Sequence, residues 1–192
     1  MFKFGVLALQ GAFREHREVL DALGVATTEV RTPEQVTGLD ALILPGGEST
    51  TVGKLLETSG VLPVLRERLH DGMAAFGTCA GLILLSNCVV DGRPDQVALD
   101  ALDVTVRRNA YGTQLASFEA NLDIGILGGR PFPGVFIRSP VVECVGEGVE
   151  VLAEHEGHPV LVRSGRIWAS TFHPELSGDL RVHERFLNEV MS

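Results

Sequence analysis

The chain has 192 residues, of which 45% are hydrophobic and 21% are charged. This size and composition predict a globular protein that folds as a single domain, 1–192, around its own core. The formal net charge of −9 argues against a nucleic-acid partner, because binding to phosphates requires a basic face. There is no apolar run of about 18 residues, so no membrane span or membrane partner is predicted.

The three cysteines, Cys79, Cys88 and Cys144, are odd in number and widely spaced. They indicate neither a disulfide framework nor a C-x-x-C metal site, and a reducing cytoplasm is the expected location. Cys88 and Cys144 lie in apolar runs and are predicted to be core residues. The opening residues, MFKFGVLALQ, lack an A-x-A-like cleavage site and are interpreted as the start of a strand rather than as a signal peptide.

Strands and helices alternate over the first 90 residues, which indicates an α/β fold with a parallel sheet. One helix begins after a glycine-rich loop, and Ser49, Thr50 or Thr51 is its expected N-cap. The predicted strands here are 2–9, 26–31, 40–44 and 73–76; the predicted helices are 13–23, 49–58, 61–70 and one that begins at 80.

The second half is rich in strand patterns, and some of these strands are expected to extend the sheet in an antiparallel direction. A cluster of glycine and proline at 128–134 is predicted to be a surface loop. The predicted strands are 101–106, 117–120, 134–137, 149–153, 159–163 and 167–172, followed by an amphipathic helix at 180–191.

Cys79 lies in the strongest local motif, FGTCAG at 76–81, between a predicted buried strand and a predicted helix. The form G-x-C-x-G is that of a nucleophile elbow with cysteine in place of serine. In such a turn the helix N-terminus favours the reactive thiolate, and the N–H of Ala80 is a candidate donor to an oxyanion. The alternative is a buried structural cysteine beside two packing glycines.

A thiolate nucleophile needs an imidazole that a third group holds in place. His173 ends an apolar strand and precedes Pro174-Glu175. The residue before a proline is pushed into an extended conformation, so His173 and Glu175 are predicted to project to the same side. The alternative is a strand-terminal histidine with an exposed glutamate.

The other histidines carry weaker signals. His16 is predicted to lie on a solvated helix face, and His183 is predicted to lie among the charges of the last helix. His155 and His158 form H-x-x-H without a third ligand, which is a weak metal signal, so no metal site is predicted.

The loop PGGEST at 45–50 follows a predicted strand and precedes a helix. It matches neither a P-loop nor a dinucleotide fingerprint, so no nucleotide cofactor is predicted. An N–H of Gly46 or Gly47 is a candidate second oxyanion donor. The alternative is a plain turn that caps the helix.

Seven segments together carry a family resemblance that covers nearly the whole chain. The chain resembles the glutaminase subunit of pyridoxal 5′-phosphate synthase, the PdxT/SNO family of class I glutamine amidotransferases. The segments that carry this resemblance are LQGAFREH (9–16), LPGGEST (44–50), FGTCAGL (76–82), RNAYG (108–112), SFEA (117–120), GVFIRSP (134–140) and FHPEL (172–176).

The resemblance implies a flavodoxin-like, three-layer α/β/α fold and a catalytic triad. Cys79 would attack the side-chain amide of L-glutamine to give a thioester and ammonia, His173 would move protons, and Glu175 would orient His173. Gln10 also matches a residue near the family's site. The residues that match the family's glutamine-binding positions are Gly47, Glu48, Ser49, Arg108, Ile137 and Arg138.

The resemblance also implies a partner, the (β/α)₈ synthase subunit, which uses the delivered ammonia to make pyridoxal 5′-phosphate. That compound is then the partner's product, and no cofactor is expected in this chain. Many such glutaminases are activated by the partner, and the peptide between Gly46 and Gly47 is the candidate for a rearrangement. Tyr111, Thr113 and Thr171 depart from the residues that relatives often carry; Thr113 concerns the pocket rim or the partner contact.

Three alternatives remain open from the sequence. The chain is a class I glutaminase subunit that serves a different synthase, a cysteine hydrolase or peptidase of similar fold, or a binding subunit with a vestigial triad. The intact set Cys79, His173 and Glu175 argues against the last.

Overall fold

The computed structural model describes residues 2–108 and 117–192, so Tyr111 and Thr113 lie outside the described residues. The helices are α1 (Phe13–Ala22), α2 (Pro33–Thr37), α3 (Ser49–Thr58), α4 (Val61–His70), α5 (Ala80–Leu85) and α6 (Arg181–Met191), with short 3₁₀ turns at Gly125–Leu127 and Pro174–Leu176. The strands are β1 (Phe4–Leu7), β2 (Thr27–Val30), β3 (Ala41–Leu44), β4 (Ala74–Thr78), β5 (Ser86–Val89), β6 (Leu102–Arg107), β7 (Ser117–Leu122), β8 (Phe132–Ile137), β9 (Val141–Val145), β10 (Glu150–His155), β11 (His158–Ser164) and β12 (Ile167–Ser170).

A seven-stranded sheet with the order β10-β11-β12-β4-β3-β1-β2 forms the centre of the fold. Five neighbouring strands, from β12 to β2, are parallel, whereas β11 and β10 continue the sheet in an antiparallel direction. The parallel part has the order 2-1-3-4-5 of flavodoxin-like folds when its strands are numbered along the chain. This arrangement confirms the predicted α/β fold with an antiparallel extension.

Helices cover both faces of this sheet, which gives the three layers that the family resemblance implies. On one face, α1 and α6 pack over Phe76 and Trp168, with the rings of Phe76 and Phe186 5.5 Å apart. On the other face, the side chains of α2 to α5 form a second buried cluster. Both faces of the parallel strands are therefore buried, which explains why strands such as β3 are continuously apolar.

Two smaller sheets lie beside the central one: β5-β6-β9 and the antiparallel pair β7-β8. In the first, Cys88 and Cys144 both pair with Thr105, on the face opposite the buried Leu102 and Val104. The two cysteines are exposed, so the prediction that they are core residues was wrong. The strands around them are covered only at one end: β9 buries Val141 and Val142 and exposes 143–145, and in β5 only Ser86 is fully buried.

Several boundaries also differ from the prediction. The surface loop predicted at 128–134 was wrong in its second half, because β8 begins at Phe132, whose buried ring packs near Phe172. The N-cap of α3 is Glu48 rather than a serine or threonine, since its carboxylate accepts the N–H groups of Thr50 and Thr51. The short elements α2, β5 and β9 were not predicted.

Within the described ranges 2–108 and 117–192, no helix has both the length and the apolar character needed to cross a membrane.

Two glycines allow β4 and α5 to approach closely around Cys79. A Cβ on Gly81 would lie 2.0 Å from the carbonyl oxygen of Leu44, and a Cβ on Gly77 would lie 2.6 Å from the carbonyl carbon of Gly81. Real Cβ atoms do not make such contacts with backbone, so a side chain at either position would push the helix away from the sheet.

We expect Gly81→Ala to lower the free energy of unfolding by about 1–3 kcal/mol, because the added methyl group overlaps the backbone of β3. Gly125→Ala is the matched control, since no atom lies within 4 Å of the added Cβ and the glycine does not have a positive φ. Urea unfolding of both variants measures the difference. Equal stabilities would show that the approach of β4 and α5 is not limited by Gly81.

Candidate active site

A cavity of about 390 Å³ lies at the carboxyl ends of β1, β3 and β4. Ligands of open α/β sheets bind at this edge. Gln10, Gly11, Ala12 and Glu15 form its wall after β1. The predicted site residues that line it are Gly46, Gly47, Glu48, Ser49, Cys79, Arg108, Ile137, Arg138 and His173.

Cys79 stands at the turn from β4 into α5 with φ 50° and ψ −101°. A positive φ is rare for a residue with a Cβ and stores strain, which is typical of a nucleophile held on an elbow. Its backbone N–H donates to the carbonyl oxygen of Ser170 at 2.9 Å, which ties the elbow to β12. Its Sγ lies 3.9 Å from the carbonyl oxygen of Ile137, at the cavity wall.

His173 and Glu175 meet as predicted, although Glu175 lies in the 3₁₀ turn Pro174–Leu176 and not in the extended segment that was expected. The Nδ1 of His173 is 2.6 Å from Oε1 of Glu175, and the backbone N–H of His173 donates to Val135 at 2.7 Å. Because Nδ1 is occupied, Nε2 is the ring nitrogen that remains for Cys79, which lies close enough to raise the pKa of the imidazole. The structure therefore brings together the three residues of the predicted triad.

The charges of this pair follow from its surroundings. Burial alone would lower the pKa of His173, but the interactions of its ring with Cys79 and Glu175 outweigh burial and raise it to about 10. Burial would raise the pKa of Glu175, but the neighbouring rings of His16 and His173 outweigh burial and hold it at about 2. At neutral pH the site thus contains an imidazolium next to Cys79 and a carboxylate behind it.

Glu48 and Arg108 organise the loop on the opposite side of the cavity. The carboxylate of Glu48 accepts the N–H of Thr51 at 2.7 Å. Burial would raise the pKa of Glu48, but the hydrogen bonds from Thr51 and Thr50 outweigh it and lower the pKa to about 2. Arg108 donates to Glu48 at 3.1 Å and to Oε1 of Gln96 at 2.9 Å, so its guanidinium is fixed at the cavity.

The three candidate oxyanion donors differ in what they bond to. Gly46 donates its N–H to Oγ1 of Thr78 at 3.1 Å, and its carbonyl oxygen accepts the N–H of Ala12 at 3.0 Å. The N–H of Gly46 would therefore have to leave Thr78 to bind an oxyanion. Ala80 is the first residue of α5, where backbone N–H groups have no partner within the helix. Gly47 lines the cavity, and its two neighbours in the chain, Gly46 and Glu48, are both held by hydrogen bonds.

Arg138 follows β8 at the edge of the cavity with φ 44°. This left-handed conformation is uncommon for a residue with a long side chain, and such strain clusters at functional sites. Arg138 and Arg108 supply two guanidinium groups to one cavity, as the resemblance implies.

Sequence reasoning misplaced two histidines that belong to the surroundings of the site. His16 and His183 are each 0% exposed, so the predictions of a solvated face and of a charged surround were wrong. The helical period carried the missing signal: the buried residues of α1 are His16, Val19 and Leu20. His183 likewise belongs to the apolar stripe of α6.

No group of three or more His, Cys, Asp or Glu side chains in residues 2–108 and 117–192 is arranged to hold a metal ion.

The buried His183 makes stability depend on pH. Burial, with a smaller contribution from His16, lowers the pKa of His183 to about 3. The unfolded chain takes up this proton near the ordinary pKa of about 6.5. The contribution of His183 to stability is therefore complete above pH 6.5 and is lost as the pH falls from 6.5 towards 3.

Between pH 7.5 and pH 5 we expect the wild type to lose about 2 kcal/mol of unfolding free energy through His183. His183→Gln lacks this titrating group, so its loss of unfolding free energy over the same pH range is smaller by about 2 kcal/mol. Urea unfolding at several pH values measures the slopes, which do not depend on the absolute stability of the variant. His70→Gln, at a side chain that is 91% exposed, is the matched control. The same slope in His183→Gln and in the wild type would contradict the assignment of a neutral buried imidazole.

Solved structures share this architecture. A crystal structure described as a glutamine amidotransferase is 52% identical, with a TM-score of 0.92, and the match covers 98% of this chain and 99% of that one. The structure of PurLQS from Thermotoga maritima is 14% identical, with a TM-score of 0.66, and the match covers 98% of this chain and 99% of that one. The second likeness shows the fold alone.

Sequence comparison gives the family. The pyridoxal 5′-phosphate synthase subunit PdxT of Herpetosiphon aurantiacus is 53% identical over 185 residues, which cover 95% of this chain and 97% of the relative. That of Streptomyces avermitilis is 51% identical over 186 residues, 97% of this chain and 92% of the relative. The sequence pattern of the SNO glutamine amidotransferase family matches residues 6–192. This chain belongs to the SNO glutamine amidotransferase family.

Proposed function

We propose that this chain hydrolyses the side-chain amide of L-glutamine through Cys79, His173 and Glu175 and supplies the ammonia for the synthesis of pyridoxal 5′-phosphate. The observation that carries the proposal is His173, bonded to Glu175 at 2.6 Å, next to a strained cysteine at the same cavity. The curated relatives, named as a subunit of pyridoxal 5′-phosphate synthase, support the pathway.

The first half of the reaction forms a thioester. The imidazolium of His173 stabilises the thiolate of Cys79, which attacks the amide carbon of glutamine. The electron pair of the carbonyl bond moves to oxygen, and the tetrahedral intermediate then expels the amide nitrogen. His173 donates its proton to that nitrogen, so that ammonia leaves and the acyl group remains on Sγ.

The second half returns the enzyme to its starting state. His173 is now neutral and removes a proton from water as the water attacks the thioester carbon. Collapse of the second tetrahedral intermediate releases glutamate and restores the thiolate beside an imidazolium. Glu175 keeps its negative charge throughout and holds Nδ1–H of His173, which aims Nε2 at the reacting atoms.

Both intermediates carry a negative oxygen that needs donors. The N–H of Ala80 at the start of α5 is one donor that the proposal assigns, and the peptide of Gly46 and Gly47 is the source of the second. In that peptide the carbonyl oxygen of Gly46 accepts the N–H of Ala12, so a rotation that turns the N–H of Gly47 towards the substrate has to break this bond. We propose that contact with the synthase subunit produces that change.

Glutamine is recognised by the polar rim of the cavity. Arg108 and Arg138 provide the guanidinium groups for the α-carboxylate, which suits a bidentate pair. Ile137 ends β8 beside Sγ of Cys79, and Gly47, Glu48 and Ser49 form the facing loop.

The partner in this proposal is the (β/α)₈ synthase subunit of a hetero-oligomeric complex. That subunit consumes the ammonia, so pyridoxal 5′-phosphate is the product of the complex and not a cofactor of this chain. We place the complex in the cytoplasm and propose that 1–192 is one glutaminase domain, which the family match over residues 6–192 supports.

The first experiment is ammonia release from L-glutamine by this chain alone and with a pyridoxal 5′-phosphate synthase subunit. We expect the partner to stimulate release strongly, because it completes the oxyanion hole. A rate of ammonia release that is the same with and without this partner would contradict the assigned pathway. Stimulation by an unrelated synthase instead would also contradict it. Turnover of γ-glutamyl peptides without turnover of glutamine would point to a cysteine hydrolase.

Cys79→Ala separates the chemistry from the assembly. In the complex we expect this variant to abolish synthesis from glutamine, by about 10³-fold or more, and to leave synthesis from added ammonium intact, because only the nucleophile is removed. Formation of pyridoxal 5′-phosphate is followed with each nitrogen source. Unchanged synthesis from glutamine would overturn the role of Cys79, and loss with both nitrogen sources would overturn ammonia delivery as the function.

A further inference from the structure

Two histidines that the mechanism does not use lie directly behind Glu175. Nε2 of His183 is 3.0 Å from Nδ1 of His16, and Nε2 of His16 is 3.4 Å from Oε2 of Glu175. His16 comes from α1 and His183 from α6, and both side chains are fully buried. The series therefore joins the two helices of one layer to the third member of the proposed triad.

The carboxylate oxygen that faces His16 has few other partners. Oε1 of Glu175 is bonded to His173, whereas Oε2 is buried and forms no hydrogen bond of good geometry with any described residue; Nε2 of His16, 3.4 Å away, is the nitrogen that faces it. A buried charged oxygen without a donor is strongly destabilised. The N–H group that lies nearest therefore decides how well Glu175 keeps its charge.

The position of the protons follows from this requirement. Burial lowers the pKa of His16, so its ring is neutral near pH 7 and carries one N–H. If Nδ1 carried that proton, the lone pair of Nε2 would face Oε2 of Glu175, which is repulsive. With the proton on Nε2, His16 donates to Oγ1 of Thr78, 3.1 Å away, and the positive end of the same N–H lies near Oε2 of Glu175, with the nitrogen 3.4 Å from that oxygen. Nδ1 then accepts the Nε2–H of His183.

We propose that His16 is a positioning residue, which presents Nε2–H to Glu175 and keeps that carboxylate charged and oriented towards His173, while His183 fixes the tautomer of His16. This inference rests on the proposed function, since it concerns the third member of the same triad. His16 touches neither glutamine nor the reacting atoms, so it acts through Glu175.

The titratable groups around this carboxylate come from every element that packs against it. His16 and the more distant Glu15 belong to α1, His183 belongs to α6, and His173 precedes the 3₁₀ turn that contains Glu175. The negative charge of Glu175 is thus surrounded by three imidazoles, of which only His173 is charged at neutral pH. Loss of the donor from His16 raises the pKa of Glu175 and weakens its hold on His173.

Two substitutions of His16 distinguish the N–H that the side chain presents to Glu175 from the volume that it fills between α1 and α6. His16→Gln places an amide nitrogen near the position of Nε2 and retains a donor towards Glu175. His16→Asn places its amide near the position of Nδ1 and retains only the contact with His183. His70→Gln, on the exposed end of α4, is the matched control for the substitution itself.

Glutamine hydrolysis is measured with the synthase subunit present, at saturating and limiting glutamine and across pH. For His16→Asn we expect kcat to fall about tenfold or more with little change in KM, since a misoriented triad member costs up to about 10⁴-fold. The acid limb of its pH profile moves to higher pH, because the pKa of Glu175 rises. For His16→Gln and for His70→Gln we expect kcat and the acid limb close to those of the wild type.

Equal losses of kcat in His16→Asn and His16→Gln, or a change confined to KM, would overturn the inference and leave His16 with a packing role. An inactive wild-type complex would instead reject the proposed function. Imidazole ¹⁵N NMR of the wild-type chain tests the inference even if a variant fails to fold. At pH 7 we expect a neutral His16 with its proton on Nε2; a proton on Nδ1, or on both nitrogens, would overturn it.

Discussion

The close approach of β4 and α5 is the constraint on which the site depends. Gly81 lies against the backbone of Leu44, and this leaves Cys79 in a positive-φ turn that exposes its thiol to the cavity while its N–H is bonded to Ser170. A larger residue in place of Gly81 would separate strand and helix and release that strain. The reactive conformation of Cys79 therefore depends on close packing between the central sheet and α5.

Most of the fold follows from local patterns in the sequence. Continuous apolar strands such as β3, and helices with a clear period such as α4, were predicted within one or two residues. The two cysteine predictions failed for one physical reason: Cys88 and Cys144 lie in the exposed parts of β5 and β9, and apolar character does not say which residues of a strand the rest of the fold covers. The short α2 adds little periodic signal beyond its capping box.

Some contacts of the site were predictable from the sequence, and others form only because distant segments pack together. The spacing of His173 and Glu175 indicated their contact, but the chain achieves it through the 3₁₀ turn Pro174–Leu176 rather than through the extended segment that was predicted. The contact of His16 with Glu175 joins residues 159 positions apart and depends on how α1 lies on the sheet. The position of His16 on the apolar stripe of α1 indicated that its side chain is buried. The charged residues beside it in the sequence led instead to the prediction of a solvated face.

Covalent labelling tests the central claim, that Cys79 is the nucleophile of a glutamine site, most directly. The chain is treated with an L-glutamine analogue that carries an electrophile at the amide position, and the labelled residue is identified by peptide mass spectrometry. Cys88 and Cys144 are internal controls, since they are exposed whereas Cys79 is buried and lines the cavity. We expect one adduct, on Cys79, with L-glutamine protecting it and D-glutamine not. Labelling of Cys88 or Cys144 alone, or labelling of Cys79 that L-glutamine does not slow, would contradict the account.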